Sequence, residues 1–325
     1  MDVIKVSPRG YCYGVVDAME IARKAAKDPS LPRPLYIIGL IVHNAFAVEE
    51  LTRLGVVTLD GPDRASILEQ VTAGTVIFTA HGVSPQVKQR AAERGLRVLD
   101  ATCPDVTKTH DLVRSLAAQD YQIIYIGKKG HPEPEGVIGE APERVHLVET
   151  AADLDALPPA LADAPRLAVS TQTTLSQWDT AALIEEICRR YPQVEVYNEI
   201  CHATQVRQEA VATMARGADL TIVVGDPRSN NTNRLVQVAE ELAHSRAIRI
   251  ERLADLDPAV LEGKRRVAIT AGASTPSQLT REVIRFVESY GARVRELPAA
   301  ELEAAAGRAG TEQAAGQAQP AALRD

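Results

Sequence analysis

Three of the four cysteines in the sequence lie where a strand-like run meets a helix-like run. They are Cys12, Cys103 and Cys201, in the contexts VIKVSPRGYC, LRVLDATC and VEVYNEIC, at intervals of 91 and 98 residues. Because a thiolate can bind a metal, three thiols at equivalent positions predict one shared site. The fourth, Cys188 in ALIEEICRR, lies on the apolar face of a predicted helix and is interpreted as a small buried hydrophobic residue.

Three further features recur after each cysteine. A following apolar strand ends in glycine, and a hydrogen-bonding side chain comes four residues later; a third strand then ends in a hydroxyl residue. The glycines are Gly39, Gly127 and Gly225, the polar residues are His43, His131 and Ser229, and the hydroxyl residues are Thr79, Ser170 and Thr270. Periods near a hundred residues are too long for a solenoid. They indicate three copies of one small α/β domain.

The segments between the strands have helical periodicity and close on glycine, as in NAFAVEELTRLG, PQVKQRAAERG and TQVRQEAVATMARG. Alternating strands and helices predict mainly parallel sheets, whose ligands bind at the carboxyl ends of the strands. We therefore expect a trefoil of three pseudo-threefold-related α/β domains around a central cavity. The predicted units are 14–102, 103–198 and 199–298 plus 1–13, followed by a flexible Ala-rich tail at 299–325.

Composition excludes several function classes. The 325 residues are 45% hydrophobic and 24% charged, as in ordinary globular proteins, and only 4% are aromatic. A net charge of −7 argues against a nucleic-acid binder. No apolar run approaches the roughly 20 residues that cross a bilayer, and the first residues do not resemble a targeting sequence. We expect a cytoplasmic protein without a disulfide framework that binds neither nucleic acid nor membrane; the oligomeric state is not predicted.

Three converging thiols have three interpretations. They could hold zinc with an open fourth position, they could bind three irons of a [4Fe–4S] cluster, or they could be buried structural residues. Zinc sites commonly include at least one pair of ligands close in sequence, which these cysteines lack. The spacing therefore favours the cluster.

The remaining polar residues at the strand ends predict an anion-binding lining, most plausibly for phosphate. This lining comprises His43, His81, His131, Ser229, Asn231 and Ser274. Glu133 follows in GHPEPEG, and a carboxyl in such a cavity should have a raised pKa and could deliver a proton near neutral pH. Glu135 competes for that role on the same grounds. The run STQTTLS (170–176) could orient the acid or cap the helix that begins near Gln177.

Nine motifs carry a resemblance to a known family: GYCYGV, VHNAFAVEEL, FTAHGVS, DATCPDVTKTH, GHPEPEG, TQTTLS, EICHAT, SNNTNRL and TAGAST. Over 1–286 the sequence resembles the 4-hydroxy-3-methylbut-2-enyl diphosphate reductases of the LytB/IspH type. The resemblance implies a trefoil around a [4Fe–4S] cluster, and the last step of the non-mevalonate (MEP) pathway. In that step an allylic alcohol diphosphate takes up two electrons and two protons and loses water, giving isopentenyl and dimethylallyl diphosphate.

Carried over by position, the resemblance implies a role for each matching residue. The cluster ligands are Cys12, Cys103 and Cys201; the diphosphate ligands are His43, His81, His131, Ser229, Asn230, Asn231 and Ser274; the proton-delivery residues are His131, Glu133 and the orienting Thr173. Two positions depart from the family pattern. Asn230 stands where many members have a second serine, and His202 stands where an aromatic residue is common.

The requirements of the implied reaction agree with the candidate residues, because removing an allylic hydroxyl needs a Lewis acid, electrons and a proton donor. One [4Fe–4S] cluster with three cysteine ligands and one open iron would bind the hydroxyl and supply electrons, and Glu133 would supply the proton. No GxGxxG fingerprint follows a strand, so electrons should arrive from a separate small redox protein, which the resemblance implies to be a flavodoxin or a ferredoxin. The alternatives are a three-cysteine cluster lyase or synthase of the quinolinate synthase type, which needs no reductant, and a non-enzymatic cluster sensor.

Overall fold

A computed structural model describes residues 1–296 of the protein. The predicted tail at 299–325, and the last two residues of the third predicted unit, lie outside the described residues. The described chain folds into three four-stranded sheets, and every strand pairing in them is parallel.

The strands fall into three groups along the chain. The first sheet contains Leu35–Ile38 (β2), Val56–Leu59 (β3), Thr75–Phe78 (β4) and Arg97–Asp100 (β5). The second contains Gln122–Ile126 (β6), Val145–Val148 (β7), Leu167–Thr171 (β8) and Glu195–Tyr197 (β9). The third contains Asp2–Lys5 (β1), Leu220–Val224 (β10), Ala247–Ile250 (β11) and Arg266–Ala271 (β12).

Ten α-helices connect or cover these strands in the described chain. They are Tyr13–Lys27 (α1), Ala45–Arg53 (α2), Arg64–Glu69 (α3), Pro85–Glu93 (α4), Pro104–Ala118 (α5), Pro132–Ile138 (α6), Gln177–Arg190 (α7), His202–Met214 (α8), Asn230–Glu241 (α9) and Ser277–Glu296 (α10). Short 3₁₀ turns replace α3 at the equivalent crossovers of the second and third sheets, at Ala151–Ala156, Pro159–Asp163, Leu253–Asp255 and Pro258–Leu261.

The three sheets have one topology. Their strand orders are β5-β4-β2-β3, β9-β8-β6-β7 and β1-β12-β10-β11. The N-terminal strand β1 thus supplies the fourth position of the sheet otherwise built by the C-terminal third of the chain. A helix leaves each of the edge strands β1, β5 and β9. This threefold arrangement confirms the expected fold class, and each sheet falls within one predicted unit, although the unit boundaries themselves stay a prediction.

The inner strands are hydrophobic because helices cover both faces of each sheet. All residues of β4, β8 and β10 are buried. The three helices predicted to close on glycine do so, at Gly55, Gly95 and Gly217, whose φ angles are +81°, +65° and +73°. Glycine adopts this conformation without the steric cost of a Cβ atom, so it ends a helix cheaply.

A search of residues 1–296 finds no helix with the length and apolar character needed to span a bilayer.

Candidate active site

The three predicted cysteine ligands occupy equivalent positions, one at the N-cap of each helix that leaves an edge strand. Cys12 precedes α1, Cys103 precedes α5 and Cys201 precedes α8. Each cysteine amide donates to a carbonyl two residues beyond the neighbouring strand: to Ala273 at 3.1 Å, Ala80 at 3.1 Å and Thr173 at 3.0 Å. The threefold topology therefore brings residues that lie about a hundred positions apart to one centre.

One central cavity brings together all twelve predicted site residues. Its lining includes Cys12, His43, His81, Cys103, His131, Glu133, Thr173, Cys201, Ser229, Asn230, Asn231 and Ser274. Cys188 does not line it and is only partly buried, in contrast to the buried position we expected. The assignment of individual roles within the cavity stays a prediction.

The hydroxyl landmarks of the third strands do not line the cavity. Thr79, which directly follows β4, and Ser170 and Thr270 within β8 and β12 are buried, and their hydroxyl groups have no hydrogen-bond partner among residues 1–296. Ser170 and Thr270 lie three residues before the carbonyl that accepts the cysteine amide, whereas Thr79 lies one residue before it. The equivalence proposed for Thr79 is therefore wrong. A residue type repeated within short strands does not fix their register.

Burial dominates the chemistry of the thiols. It raises the pKa of Cys103 to about 12 and that of Cys201 to about 11, although helix amide groups and Thr204 act in the opposite direction. The lowering expected from the helix N-termini is thus outweighed. In the free protein these thiols are protonated at neutral pH, so a metal has to displace their protons to bind.

The surroundings of the cysteines fit a bound metal group. A Cβ atom at Gly14 would lie 2.3 Å from the Cys103 sulfur, so glycine keeps this space open. The buried guanidinium of Arg207 donates to the carbonyls of Ala203 and Gly10 at 2.8 Å each. Its charge interacts favourably with the thiolate forms of Cys12 and Cys201. Three sulfur donors with a buried cation beside them suit an anionic metal–sulfur centre.

Three histidines form a compact group in the same cavity. The ring centroids of His43 and His81 are 4.4 Å apart, and each lies 5.2 Å from that of His131. Burial lowers the pKa of His43 to about 4 and that of His131 to about 3, and it holds the pKa of His81 well below its ordinary value. All three are neutral at pH 7. Neutral imidazoles this close could bind a metal ion or, through their N–H groups, an anion.

The hydrogen bonds of His131 favour the anion. Its Nδ1 accepts from the Glu133 amide at 3.2 Å and faces the side-chain amide nitrogen of Gln172 at 3.2 Å. A nitrogen that accepts two hydrogen bonds carries no proton, so the proton of neutral His131 is assigned to Nε2. Nε2 of His131 is then a hydrogen-bond donor, suited to a phosphate oxygen.

Glu133 is the buried acid of the site, with 1% of its surface exposed. Burial raises its pKa to about 7, against the effect of two hydrogen bonds from Thr173. The Thr173 amide donates to one carboxyl oxygen at 2.7 Å and its hydroxyl to the other at 3.0 Å. The rival acid Glu135 instead accepts from the Arg64 amide at 2.8 Å and does not line the central cavity. Within STQTTLS, Ser176 caps α7, as one of the two suggestions expected, whereas the orienting role of Thr173 stays a prediction.

The serine and asparagine residues differ in what they leave free. Asn231 accepts from the Ala273 amide at 2.9 Å, and its buried Nδ2 has no partner among the described residues. Ser274 donates to the His43 carbonyl at 2.9 Å and lies 3.4 Å from the Ser229 hydroxyl. Asn230 lines the cavity but donates its amide to the Thr174 carbonyl at 2.9 Å. Asn231 is therefore better disposed than Asn230 to donate to a ligand.

Sequence reasoning missed three residues that hold the site together. Gln172 supports His131, and its side-chain oxygen accepts from the Lys128 amide at 2.9 Å. Gly14 makes room for the Cys103 sulfur, and the charge of Arg207 favours the thiolate forms of Cys12 and Cys201. Gln172 lies in the motif TQTTLS and Gly14 in the motif GYCYGV, and nothing else in the sequence marked either residue.

Comparison with known proteins is consistent with this geometry. A family model described as LytB protein matches residues 3–288. A relative from Symbiobacterium thermophilum named 4-hydroxy-3-methylbut-2-enyl diphosphate reductase is 62% identical over 296 residues, covering 91% of this chain and 100% of the relative. One of the same name from Exiguobacterium sibiricum is 59% identical over 290 residues, covering 89% and 92%.

Solved structures agree with the sequence comparisons. The E-1-hydroxy-2-methyl-but-2-enyl-4-diphosphate reductase from Plasmodium falciparum matches with a TM-score of 0.80 at 34% identity, covering 88% of this chain and 87% of that one. A structure titled (E)-4-hydroxy-3-methyl-but-2-enyl diphosphate reductase, the terminal enzyme of the non-mevalonate pathway, matches with a TM-score of 0.63 at 32% identity, covering 91% and 100%. With a match over most of its length in each comparison, this chain belongs to the LytB family.

Proposed function

We propose that this chain is an oxidoreductase that converts 4-hydroxy-3-methylbut-2-enyl diphosphate, two electrons and two protons into isopentenyl or dimethylallyl diphosphate and water. This is the last step of the MEP route of isoprene biosynthesis. The observation that carries the proposal is a single cavity lined by three thiols, three neutral histidines and a buried carboxyl with a pKa of about 7. Relatives at about 60% identity carry the name of this activity.

The proposed cofactor is one [4Fe–4S] cluster held by Cys12, Cys103 and Cys201, with one iron free of protein ligands. When bound, such a cluster supplies electrons and a Lewis-acidic iron. The space beside Gly14 and the charge of Arg207 support this assignment.

The diphosphate is proposed to bind among neutral donors. His43, His81 and His131 can each present an N–H group, and Asn231 has a free amide. Ser229, Asn230 and Ser274 complete the predicted lining. Fixing the diphosphate in this way would hold the alcohol in one place and so lower the entropic part of the barrier.

Glu133 is the proposed proton source. A carboxyl with a pKa of about 7 is substantially protonated at neutral pH and can still release its proton. The two donors of Thr173 stabilise the carboxylate that remains and keep it in one orientation. His131 is proposed to position the start of α6, where Glu133 lies.

A separate flavodoxin- or ferredoxin-type protein is the proposed electron donor. We also propose that the chain is organised in the predicted units 14–102, 103–198 and 199–298 plus 1–13. Each sheet, rather than each unit, contributes one thiol to the centre, because Cys12 follows β1, Cys103 follows β5 and Cys201 follows β9.

Turnover under strictly anaerobic conditions tests the proposal. The loaded protein, reduced by a viologen dye, should consume two electrons per allylic diphosphate and release both isoprenoid diphosphates. A cluster lyase of the quinolinate synthase type would react without reductant, and a cluster sensor would consume none. Either of those results would refute the proposed activity.

A further inference from the structure

A second pocket adjoins the central cavity, and His43 and His131 line both. The second pocket is also lined by four cationic residues, Arg64, Lys128, Lys129 and Arg228, and by two carboxylates, Asp60 and Glu135. In a chain whose net charge is −7, this is a local concentration of cations beside the predicted phosphate site. Arg228 is paired with Asp226 at 2.9 Å, and Lys128 is exposed. Arg64 is the only buried cation among the described residues that line either pocket.

Arg64 differs from the other two buried arginines of the described chain. Arg234 pairs with carboxylates of Asp179 at 2.9 Å and Glu241 at 3.2 Å. Arg207 donates to two backbone carbonyls and lies near the thiols. Arg64 is 6% exposed, its Nε has no hydrogen-bond partner and its guanidinium forms no salt bridge among the described residues. Only the more distant carboxylates of Glu135 and Asp60 act favourably on its charge. A buried charge without a directly paired counter-ion is costly, so its retention calls for an explanation.

The fold holds this guanidinium in place. Gly39 leaves the space for it, since a Cβ atom there would lie 2.2 Å from an Arg64 side-chain nitrogen. The Arg64 amide donates to Glu135 at 2.8 Å, which fixes the first residue of α3. The charge is therefore held at one point beside the histidines.

The ligand proposed for the neighbouring cavity lacks a counter-charge there. The lining of that cavity contains no lysine or arginine, and its histidines are neutral. A diphosphate ester carries several negative charges at neutral pH, and neutral donors alone compensate them only in part. The positive charge of Arg64 also favours the neutral forms of His43 and His131, which keeps their N–H groups available without adding charge.

We propose that Arg64 is a positioning residue for the diphosphate: it provides the missing counter-charge from behind the wall formed by His43 and His131. The inference rests on the proposed function, because it takes a diphosphate as the anion. In the free protein the carboxylates of Glu135 and Asp60 compensate the buried guanidinium only in part, and the arriving anion adds to that compensation. Arg64 thereby contributes to ground-state and transition-state binding alike. Its loss should affect KM far more than kcat.

The test compares Arg64→Gln with Arg64→Lys in the loaded enzyme. We expect Arg64→Gln to raise KM for the allylic diphosphate, and Kd for inorganic diphosphate measured by calorimetry, by about tenfold or more, because a partly screened charge pair is worth at least that. We expect kcat to change by less than about threefold. Arg64→Lys, which keeps the charge, should recover most of the affinity. Arg144→Gln removes the same charge from a surface pair with Asp120 and should change neither constant.

Two results would overturn the inference: unchanged Kd for inorganic diphosphate in Arg64→Gln, or equal weakening in Arg64→Lys, which would mean that shape and not charge matters. Iron content and circular dichroism report whether each variant is folded. If Arg64→Gln does not fold, the lysine variant alone decides the question. Failure of the proposed function would appear separately, as a wild-type enzyme that binds inorganic diphosphate but does not reduce the allylic diphosphate.

Discussion

Substitution of Thr173 by valine should move the pH dependence of the reaction. The pKa of Glu133 is about 7 because burial raises it further than the Thr173 amide and hydroxyl lower it. Valine keeps the volume of the side chain and the backbone bonds but removes the hydroxyl that donates at 3.0 Å. That hydroxyl stabilises the carboxylate, so its loss must raise the pKa of Glu133 further.

The size of the shift follows from the strength of the lost bond. A hydrogen bond to a charged group contributes about 1.5–3 kcal/mol. Since one pKa unit corresponds to about 1.4 kcal/mol, the pKa should rise by about one to two units. Because Glu133 must be protonated to act as the acid, wild-type kcat should fall as the pH rises above about 7. In Thr173→Val the same decline should begin about one to two pH units higher.

This decline of kcat with rising pH is measured by steady-state reduction of the allylic diphosphate, followed anaerobically with a viologen dye between about pH 5.5 and 9.5. Glu133→Gln should abolish this pH-dependent decline and reduce kcat by about 10²- to 10⁴-fold. Glu135→Gln is the matched control, since glutamine can still accept the bond from Arg64, and it should behave as wild type. The assignment of the acid would be refuted if kcat of Thr173→Val began to fall at the same pH as that of the wild type. It would also be refuted if Glu135→Gln were inactive and Glu133→Gln active.

Three further outcomes are expected. Cys103→Ser should lose most of its iron in a colorimetric assay, whereas Cys188→Ser, outside the cavity, should retain it; equal retention would contradict the ligand set. Gly14→Ala should also lower iron content, because its Cβ would lie 2.3 Å from the Cys103 sulfur; Gly95→Ala, where nothing lies within 4 Å, should lower only the thermal midpoint. Asn231→Ala should weaken calorimetric binding of the diphosphate by about tenfold but leave the bare diol unaffected, since it loses a free buried donor; equal losses for both ligands would argue against a phosphate role.

The repeat made the fold predictable from sequence. Each cysteine follows a strand and precedes a helix, so parallel topology alone places Cys12, Cys103 and Cys201 at the same edge of their sheets. The equal spacing of the glycines Gly39, Gly127 and Gly225 from the polar residues that follow them predicts that the three sheet edges are alike. The contents of the cavity follow from those positions, which explains why all the predicted site residues line it.

Properties that depend on burial could not be predicted from the sequence pattern. The thiol pKa of Cys103 rises although a helix begins there, because desolvation outweighs the helix amides. The motif DGPDR gives Arg64 no special signal, since an arginine at a helix start is normally solvated. Its burial arises from contact with Gly39, a residue distant enough in sequence that no local pattern connects them. Likewise, only the tertiary hydrogen bonds separate Glu133 from Glu135.

The most direct test of the central claim is Mössbauer spectroscopy of the anaerobically purified, iron-57-loaded protein, with and without the allylic diphosphate. We predict about four irons per chain, with the signal of one iron changing when the diphosphate is added and the other three remaining alike. Zinc in place of iron, or a four-iron spectrum that the substrate leaves unchanged, would contradict a cluster held by three cysteines with one iron open to the substrate.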